Sequence, residues 1–274
     1  MSLLIQISDP HFGTEQPPVV EALVRLVRRT SPDLVVLSGD ITQRARRRQF
    51  RAARAFVDRL GAPALLAIPG NHDIALFGAT TRLFKPYANF RRAFGPDLEP
   101  TFESDRLLAL ALNTTRRYRH VDGEVSPAQI ERVARRLERA TATQLRIVIV
   151  HHPVCVTRPE DDANLLHGHA RAVRRWTAAG ADLIMGGHIH LPFVCALHDR
   201  HADLPRRAWA VQAGTAVSRR VRNGIGNSVN LIRYGGPEPY RHCAVERWDF
   251  VAADGEFASV AVDELRFDVP DAAR

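Results

Sequence analysis

The chain has 274 residues, 45% of them hydrophobic, enough to bury roughly three quarters of its unfolded surface with no disulfide or structural metal holding the core. Three cysteines, Cys155, Cys195 and Cys243, are odd in number, widely spaced and without a CxxC pair, the pattern of free thiols in a reducing compartment. A formal charge of +8 invites a nucleic-acid partner, yet Lys85 is the only lysine and no aromatic residues interleave with the arginine clusters, so nucleic acid is not the favoured partner.

The first residues run straight into a strand, without the basic flank and apolar stretch of a signal peptide. No run approaches the roughly 18 apolar residues that span a bilayer. A cytoplasmic protein without a transmembrane segment is therefore expected. The predicted strand 3–7 is followed by Asp9 and His11, and residues 19–29 put Val20, Leu23, Val24 and Val27 on one helical face. Strand 34–37 leads to Gly39 and Asp40. A helix over 45–60 follows, with Thr42 as its expected cap and Gly61 as its stop. Strand 64–68 ends in Gly70, Asn71, His72 and Asp73.

Between residues 74 and 103 lie six aromatic side chains, from Phe77 to Phe102, with Arg82, Lys85, Arg91 and Arg92 among them. Two readings stay open there: a helix packing its aromatic face on the core, or a cap over a site built by the preceding loop. Strand 107–112 is followed by Asn113, Thr114, Arg116, Arg117 and His120. Ser126, Pro127 and Gln129 open a helix with Ile130, Val133 and Leu137 inside and a solvated arginine stripe outside. Strand 147–150 meets His151 and His152. His167 and His169 read as a helix start rather than as pocket residues, and strand 183–185 leads through Gly186 and Gly187 to His188 and His190. Beyond Leu191 the pattern becomes antiparallel strands over 208–212, 228–234, 242–250 and 257–262, joined by glycine-rich turns. No linker separates the α/β first part from the β-rich last part, so residues 1–274 are expected to form a single domain with an α/β fold, 74–103 being its candidate cap.

Five strands in succession stop on metal-ligand residue types, at the carboxyl ends where α/β proteins bind ligands. The donor set comprises His11, His151, His188 and His190, the carboxylates Asp9 and Asp40, and the Asn71 amide. Imidazole and oxygen donors suit Mn²⁺, Fe or Zn²⁺. Seven ligands exceed one tetrahedral ion and suit two divalent metals sharing a carboxylate. Glycines next to Asp40, Asn71 and His188 allow the backbone to turn sharply beside an ion.

With those motifs in place (Asp9-Pro-His11, Gly39-Asp40, Gly70-Asn-His-Asp73, His151-His-Pro153 and Gly187-His-Ile-His190), the chain resembles the calcineurin-like metallophosphoesterase superfamily over residues 3–191. The resemblance implies a four-layer α/β/β/α sandwich of two mixed sheets flanked by helices. It assigns one metal to Asp9, His11, Asp40 and His190, and the other to Asp40, Asn71, His151 and His188, with Asp40 as the bridge. A metal-bridging hydroxide would attack phosphorus. His72 would then stabilise the transition state or protonate the leaving oxygen, with Asp73 holding its imidazole in one tautomer, and His152 would be structural. Length and the run Gly39-Asp-Ile-Thr-Gln-Arg44 look most like the bacterial class III cyclic-nucleotide phosphodiesterases. Asn113 and Thr114 depart from the Asp and Ser of many relatives. Arg44, Arg116 and His120 are the expected substrate contacts. A cyclic nucleotide or other small phosphodiester is the expected substrate. The alternatives are a nuclease or lipid-headgroup phosphoesterase and, third, a metal-binding scaffold without turnover; a homodimer is left open.

Overall fold

The computed structural model describes residues 1–75, 84–222, 224–235 and 242–267. Its strands and helices in chain order begin with β1 (Ser2–Ile7), α1 (Pro17–Thr30), β2 (Leu34–Ser38), α2 (Arg47–Leu60) and β3 (Leu65–Ile68). Next come α3 (Ala88–Phe94), β4 (Thr101–Glu103), β5 (Leu107–Ala111), α4 (Pro127–Leu137), β6 (Leu145–Ile149), α5 (His169–Ala178) and β7 (Leu183–Gly186). The last are β8 (Phe193–Ala196), α6 (Leu197–Arg200), β9 (Trp209–Gln212), β10 (Ser228–Tyr234), β11 (Cys243–Val251) and β12 (Glu256–Leu265). No described helix is long and apolar enough to cross a membrane.

Two six-stranded sheets result, ordered β12-β11-β10-β1-β2-β3 and β4-β5-β6-β7-β9-β8. Side-chain alternation along each strand decides what each face meets. In β1, Leu3, Ile5 and Ile7 point outward onto Val20, Leu23 and Val27 of α1, whereas Leu4 points inward. That inner face packs against the other sheet through Leu34, Val36, Ile147, Ile149 and Met185. The second sheet buries Leu110, Val148 and Ile184 under Val133 of α4 and Trp176 of α5. The architecture is the expected four-layer α/β/β/α sandwich of mixed sheets.

Strands β1, β2 and β3 run parallel, as do β5, β6, β7 and β9. Residues 208–212 were expected among the antiparallel strands; β9 instead joins β7 in parallel and is antiparallel only to β8. Helix α2 also starts later than expected. Ala45 takes a left-handed φ of 50° that no α-helix admits, so Arg46 becomes the N-cap and accepts the Gln49 backbone N–H at 2.9 Å. Ser126 caps α4 as expected, its hydroxyl accepting the Gln129 backbone N–H at 3.2 Å, and α5 starts at His169.

In the candidate cap, residues 87–94 pack on the core: Phe90 is fully buried and meets Phe50 edge-on, ring centroids 6.2 Å apart, and Tyr87 hydrogen-bonds Thr115 Oγ1 at 2.7 Å. Of that segment's other aromatics, Phe84 is exposed, Phe102 in β4 packs half-buried on the core between the sheets, and Phe77 lies in 76–83, outside the described residues.

Candidate metal centre

The loops after β1, β2, β3, β6 and β7 meet at one edge of the two sheets. Asp9, His11, Asp40, His188 and His190 all adopt left-handed φ, between 42° and 74°, and they are five of the seven described non-glycine residues that do. Each such residue costs on the order of 1 kcal/mol. Asp and His tolerate the region better than β-branched residues would, so the strain falls on residue types that accept it and turns their side chains inward.

Glycine makes the loops fit. A Cβ on Gly39 would lie 2.3 Å from His151 Nδ1, one on Gly70 would lie 2.2 Å from Asp40 Oδ1, and one on Gly187 would lie 2.0 Å from Ser8 Oγ. At those three points the backbone touches a metal-ligand loop, and no other residue leaves room.

All seven candidate ligands converge. His190 Nε2 lies 3.3 Å from Asp9 Oδ1 and 3.1 Å from His11 Nε2, which in turn is 3.8 Å from Asp40 Oδ2. On the other side, His151 Nε2 is 3.4 Å from Asp40 Oδ1, and His188 Nδ1 is 3.1 Å from Asn71 Oδ1. The two carboxylate oxygens of Asp40 thus face two separate donor groups.

Neighbours fix which atom each ligand presents. His151 Nδ1–H donates to the Ser38 carbonyl at 2.9 Å and His190 Nδ1–H to the Arg220 carbonyl at 2.5 Å, which leaves both Nε2 lone pairs turned to the centre, as such supporting contacts do in metal sites. Asp9 Oδ2 accepts from Ser8 Oγ at 2.6 Å and from the His188 backbone N–H at 3.0 Å. The Asn71 amide nitrogen donates to the His120 carbonyl at 3.3 Å, which points its oxygen inward.

The electrostatics are those of a site that wants cations. Asp9 Oδ1, His151 Nε2 and His188 Nε2 are buried without a hydrogen-bond partner, a costly arrangement unless something binds there. Burial pushes His11 down to about 3 and His188 down to about 4, so both imidazoles stay neutral and able to coordinate. Burial alone would lower His151 too, but the Asp40 carboxylate beside it overrides this and raises it to about 9. Asp9 stays below the usual carboxylate range, because the His190 imidazole outweighs the upward push of burial. The donor set, the unpartnered buried atoms and the glycine contacts together fit two divalent ions.

His72 and Asp73 occupy one 3₁₀ turn, Asn71–Asp73. The expectation that Asp73 holds the His72 imidazole is overturned. Asp73 turns inward and accepts four bonds, from Ile41 N at 2.9 Å, Thr42 N and Thr42 Oγ1 at 2.8 Å, and Gly70 N at 3.0 Å. It ties the Asp40 loop to the Asn71 loop, and it occupies the hydroxyl of Thr42, the residue expected to cap α2. His72 turns the other way: Nδ1–H donates to the Gln43 carbonyl at 2.9 Å, and Nε2 accepts from an Arg220 N–H at 2.9 Å. Its backbone N–H donates to Asp40 Oδ1 at 2.8 Å.

His152 is buried with both nitrogens occupied, Nδ1 by Thr114 Oγ1 at 2.8 Å and Nε2 by the Val121 carbonyl at 2.9 Å. It supports the His120 loop, as the structural reading holds, and Thr114 is its anchor.

A cavity of about 420 Å³ opens over the centre, lined by Asp40, Asn71, His72, His188, His190 and Arg220 among others. The expected substrate contacts lie elsewhere. Arg44 is exposed. Arg116 is bound to Asn113 O, Thr115 O and Gln129 Oε1 and lines a different groove. His120 is exposed and reaches the site only through its carbonyl. Arg220, absent from the expected contacts, lines this cavity and brings its guanidinium to His72. In a chain with 38 Lys and Arg residues nothing in its local sequence sets it apart.

Comparison with known proteins agrees with this geometry. The family model for calcineurin-like phosphoesterases matches residues 3–192. A probable cyclic nucleotide phosphodiesterase of Synechococcus sp. is 27% identical over 210 residues, 70% of this chain and 74% of that protein. A glycerophosphodiester phosphodiesterase of Enterobacter lignolyticus is 39% identical over 84 residues, 26% of this chain and 29% of that protein. Among solved structures, a dimetal phosphatase from Danio rerio superposes with a TM-score of 0.66 at 13% identity, covering 97% of this chain and 99% of that one.

Proposed function

The chain belongs to the calcineurin-like phosphoesterase family of metal-dependent hydrolases, and from that premise we propose that it cleaves a phosphodiester bond at the centre described above. Asp9, His11, Asp40 and His190 would hold one divalent ion, and Asp40, Asn71, His151 and His188 the other. The carrying observation is that the Asp40 oxygens face His11 and His151 separately, at 3.8 and 3.4 Å. Two ions held there supply Lewis acidity, lowering the pKa of water and neutralising phosphoryl charge.

The protein's own groups do the rest. Strained ligand loops hold the donors in place before an ion arrives. Asp73 fixes the spacing of the Asp40 and Asn71 loops. His72, facing the cavity, keeps Nδ1–H on the Gln43 carbonyl, so Nε2, the atom that accepts from Arg220, is the one turned to the leaving oxygen; protonated there, it would pass its proton to the departing alkoxide. Residues 1–274 act as a single domain in this reading, supported by the shared core that joins Leu4, Ile147 and Leu265 between the sheets. Cys155, Cys195 and Cys243 are all buried and none is in a disulfide, which suits the cytoplasm.

A small phosphodiester, a cyclic nucleotide among the candidates, is the favoured substrate. The cavity, about 420 Å³, is of the size that takes small molecules, and the Synechococcus relative is named as a probable cyclic nucleotide phosphodiesterase. The test is metal analysis of protein purified without chelator, with turnover of bis(p-nitrophenyl) phosphate, cyclic AMP, a glycerophosphodiester and single-stranded DNA on the same preparation. Fewer than two ions per chain and no hydrolysis with Mn²⁺ would sink the proposal. Preference for DNA with steep salt dependence would turn it into a nuclease.

A further inference from the structure

Two arginines of the segment after β9 reach the cavity, and they are in different states. Arg222 sends one guanidinium nitrogen to both carboxylate oxygens of the buried Asp161, each at 2.9 Å, and to the Ile189 carbonyl at 3.3 Å. Its charge is neutralised and its geometry fixed. Arg220 meets only neutral acceptors, His72 Nε2 at 2.9 Å and Gln43 Oε1 at 3.3 Å. Among the described residues no carboxylate lies within ion-pairing distance of it.

The backbone of Arg220 is fixed while its side chain carries a free charge. The Arg220 carbonyl accepts from His190 Nδ1 at 2.5 Å and from Thr215 Oγ1 at 3.0 Å, and its N–H donates to Ser218 Oγ at 3.2 Å. The neighbouring Arg219 N–H donates to the Thr14 carbonyl at 3.0 Å. The guanidinium is half-buried on a cavity wall and faces the same space as His72, Asn71 and Asp40. A partly desolvated guanidinium without a counter-charge is unfavourable unless an anion completes it. Two divalent ions at the centre outweigh Asp9 and Asp40, so loading the site leaves Arg220 among further cations. What satisfies that neighbourhood is an anionic oxygen lying between Arg220 and the metal ligands, and a guanidinium fork binds phosphoryl oxygens well.

We infer that the Arg220 guanidinium grips a non-reacting oxygen of the substrate phosphoryl group, leaving His72 Nε2 as it does so. The inference rests on the phosphoesterase reading, and it gives that reading its phosphate contact. It also couples two events: the bond that Arg220 gives up to bind phosphate is the one occupying the His72 atom needed at the leaving oxygen.

The test uses the full chain loaded with Mn²⁺, with Arg220→Gln, Arg220→Lys and the surface control Arg135→Gln. Calorimetric titration with inorganic phosphate and the KM for bis(p-nitrophenyl) phosphate are read beside metal content. Arg220→Gln should keep two metals, bind phosphate about tenfold or more weakly and raise KM in parallel, as expected for a lost charge-assisted bond. Arg220→Lys should recover part of the loss, because it restores charge without the fork. Unchanged phosphate affinity and KM in Arg220→Gln would overturn the inference. Loss of metal in that variant would overturn it too, since Arg220 would then be holding ligands rather than an anion. If the wild-type protein bound phosphate through Arg220 yet hydrolysed none of the diesters, the phosphodiesterase proposal would fail and the anion site would stand.

Discussion

The floor and the rim of the cavity are fixed by different means. On the floor, the donors come from strand ends, five of the seven with the backbone held in left-handed φ, and Gly39, Gly70 and Gly187 press against the ligand loops. On the rim, His72 and Arg220 are held by each other and by Gln43. The floor's rigidity comes from covalent geometry and sheet packing, which no ligand needs to supply. The rim's contacts are hydrogen bonds among neutral acceptors and one cation, which a phosphate can exchange for its own. A centre that must assemble metals before substrate arrives needs the first kind of order, and a binding wall that must respond to substrate needs the second.

The largest effect should come from the floor. Asp40→Asn removes the charge that both donor groups share, and it should drop metal content below two ions per chain and activity by about 1,000-fold or more, the rate being tied to both metals. Elemental analysis beside turnover of bis(p-nitrophenyl) phosphate checks it. A variant that keeps two ions and most of its rate would show that Asp40 is not a bridge.

The next test sets floor against rim inside one turn. Asn71→Ala should lose an ion and collapse activity with it. His72→Ala should keep both ions and slow kcat by about 100-fold or more, the scale of general acid catalysis. If His72→Ala lost metal, the division between floor and rim would fail at its closest boundary.

That boundary is also where sequence and space part company. The floor was legible because imidazoles, carboxylates and glycines recur in fixed spacing after apolar runs, and the sheet order brings those runs to one edge. Asp73 was not legible. Adjacent residues in a tight turn point in opposite directions, so nearness to His72 in sequence put Asp73 with the wrong partner. Arg220 was hidden for a different reason. Its place depends on pairing of residues 14–16 with 217–219, through Gln16 N to Val217 O at 2.9 Å and Arg219 N to Thr14 O at 3.0 Å. Contacts across about two hundred residues leave no local pattern to read. The parallel placement of β9 was missed likewise, because a short buried strand carries no mark of its partner's direction.

Asp73 gives a prediction of intermediate size. Asp73→Ala strands four donors, the N–H groups of Ile41, Thr42 and Gly70 and the Thr42 hydroxyl. Leaving buried donors unsatisfied should cost on the order of 3 kcal/mol of stability, measured by denaturant unfolding of the metal-free protein. If the residue instead steadied His72, the variant would lose kcat with its stability intact, which is the result that would restore the catalytic assignment.

The smallest effects should fall on Arg44→Ala and Arg116→Ala, the two arginines that sequence proximity to the ligand loops favours most. Arg44 is exposed and off the cavity wall. Arg116 spends its guanidinium on Asn113 O, Thr115 O and Gln129 Oε1, the contacts that hold the loop after β5 to the start of α4. Neither presents charge to the centre, and at that distance solvent screening leaves little interaction with a bound phosphate. KM for bis(p-nitrophenyl) phosphate should stay within about twofold of the wild-type value in both, the range expected of surface changes away from a site. Arg116→Ala should show its effect in thermal unfolding instead, because the loop loses its tether. A tenfold rise in KM for either variant would mean that the substrate extends past the Arg220 wall, and the rim would have to be redrawn to include the loops after β2 and β5.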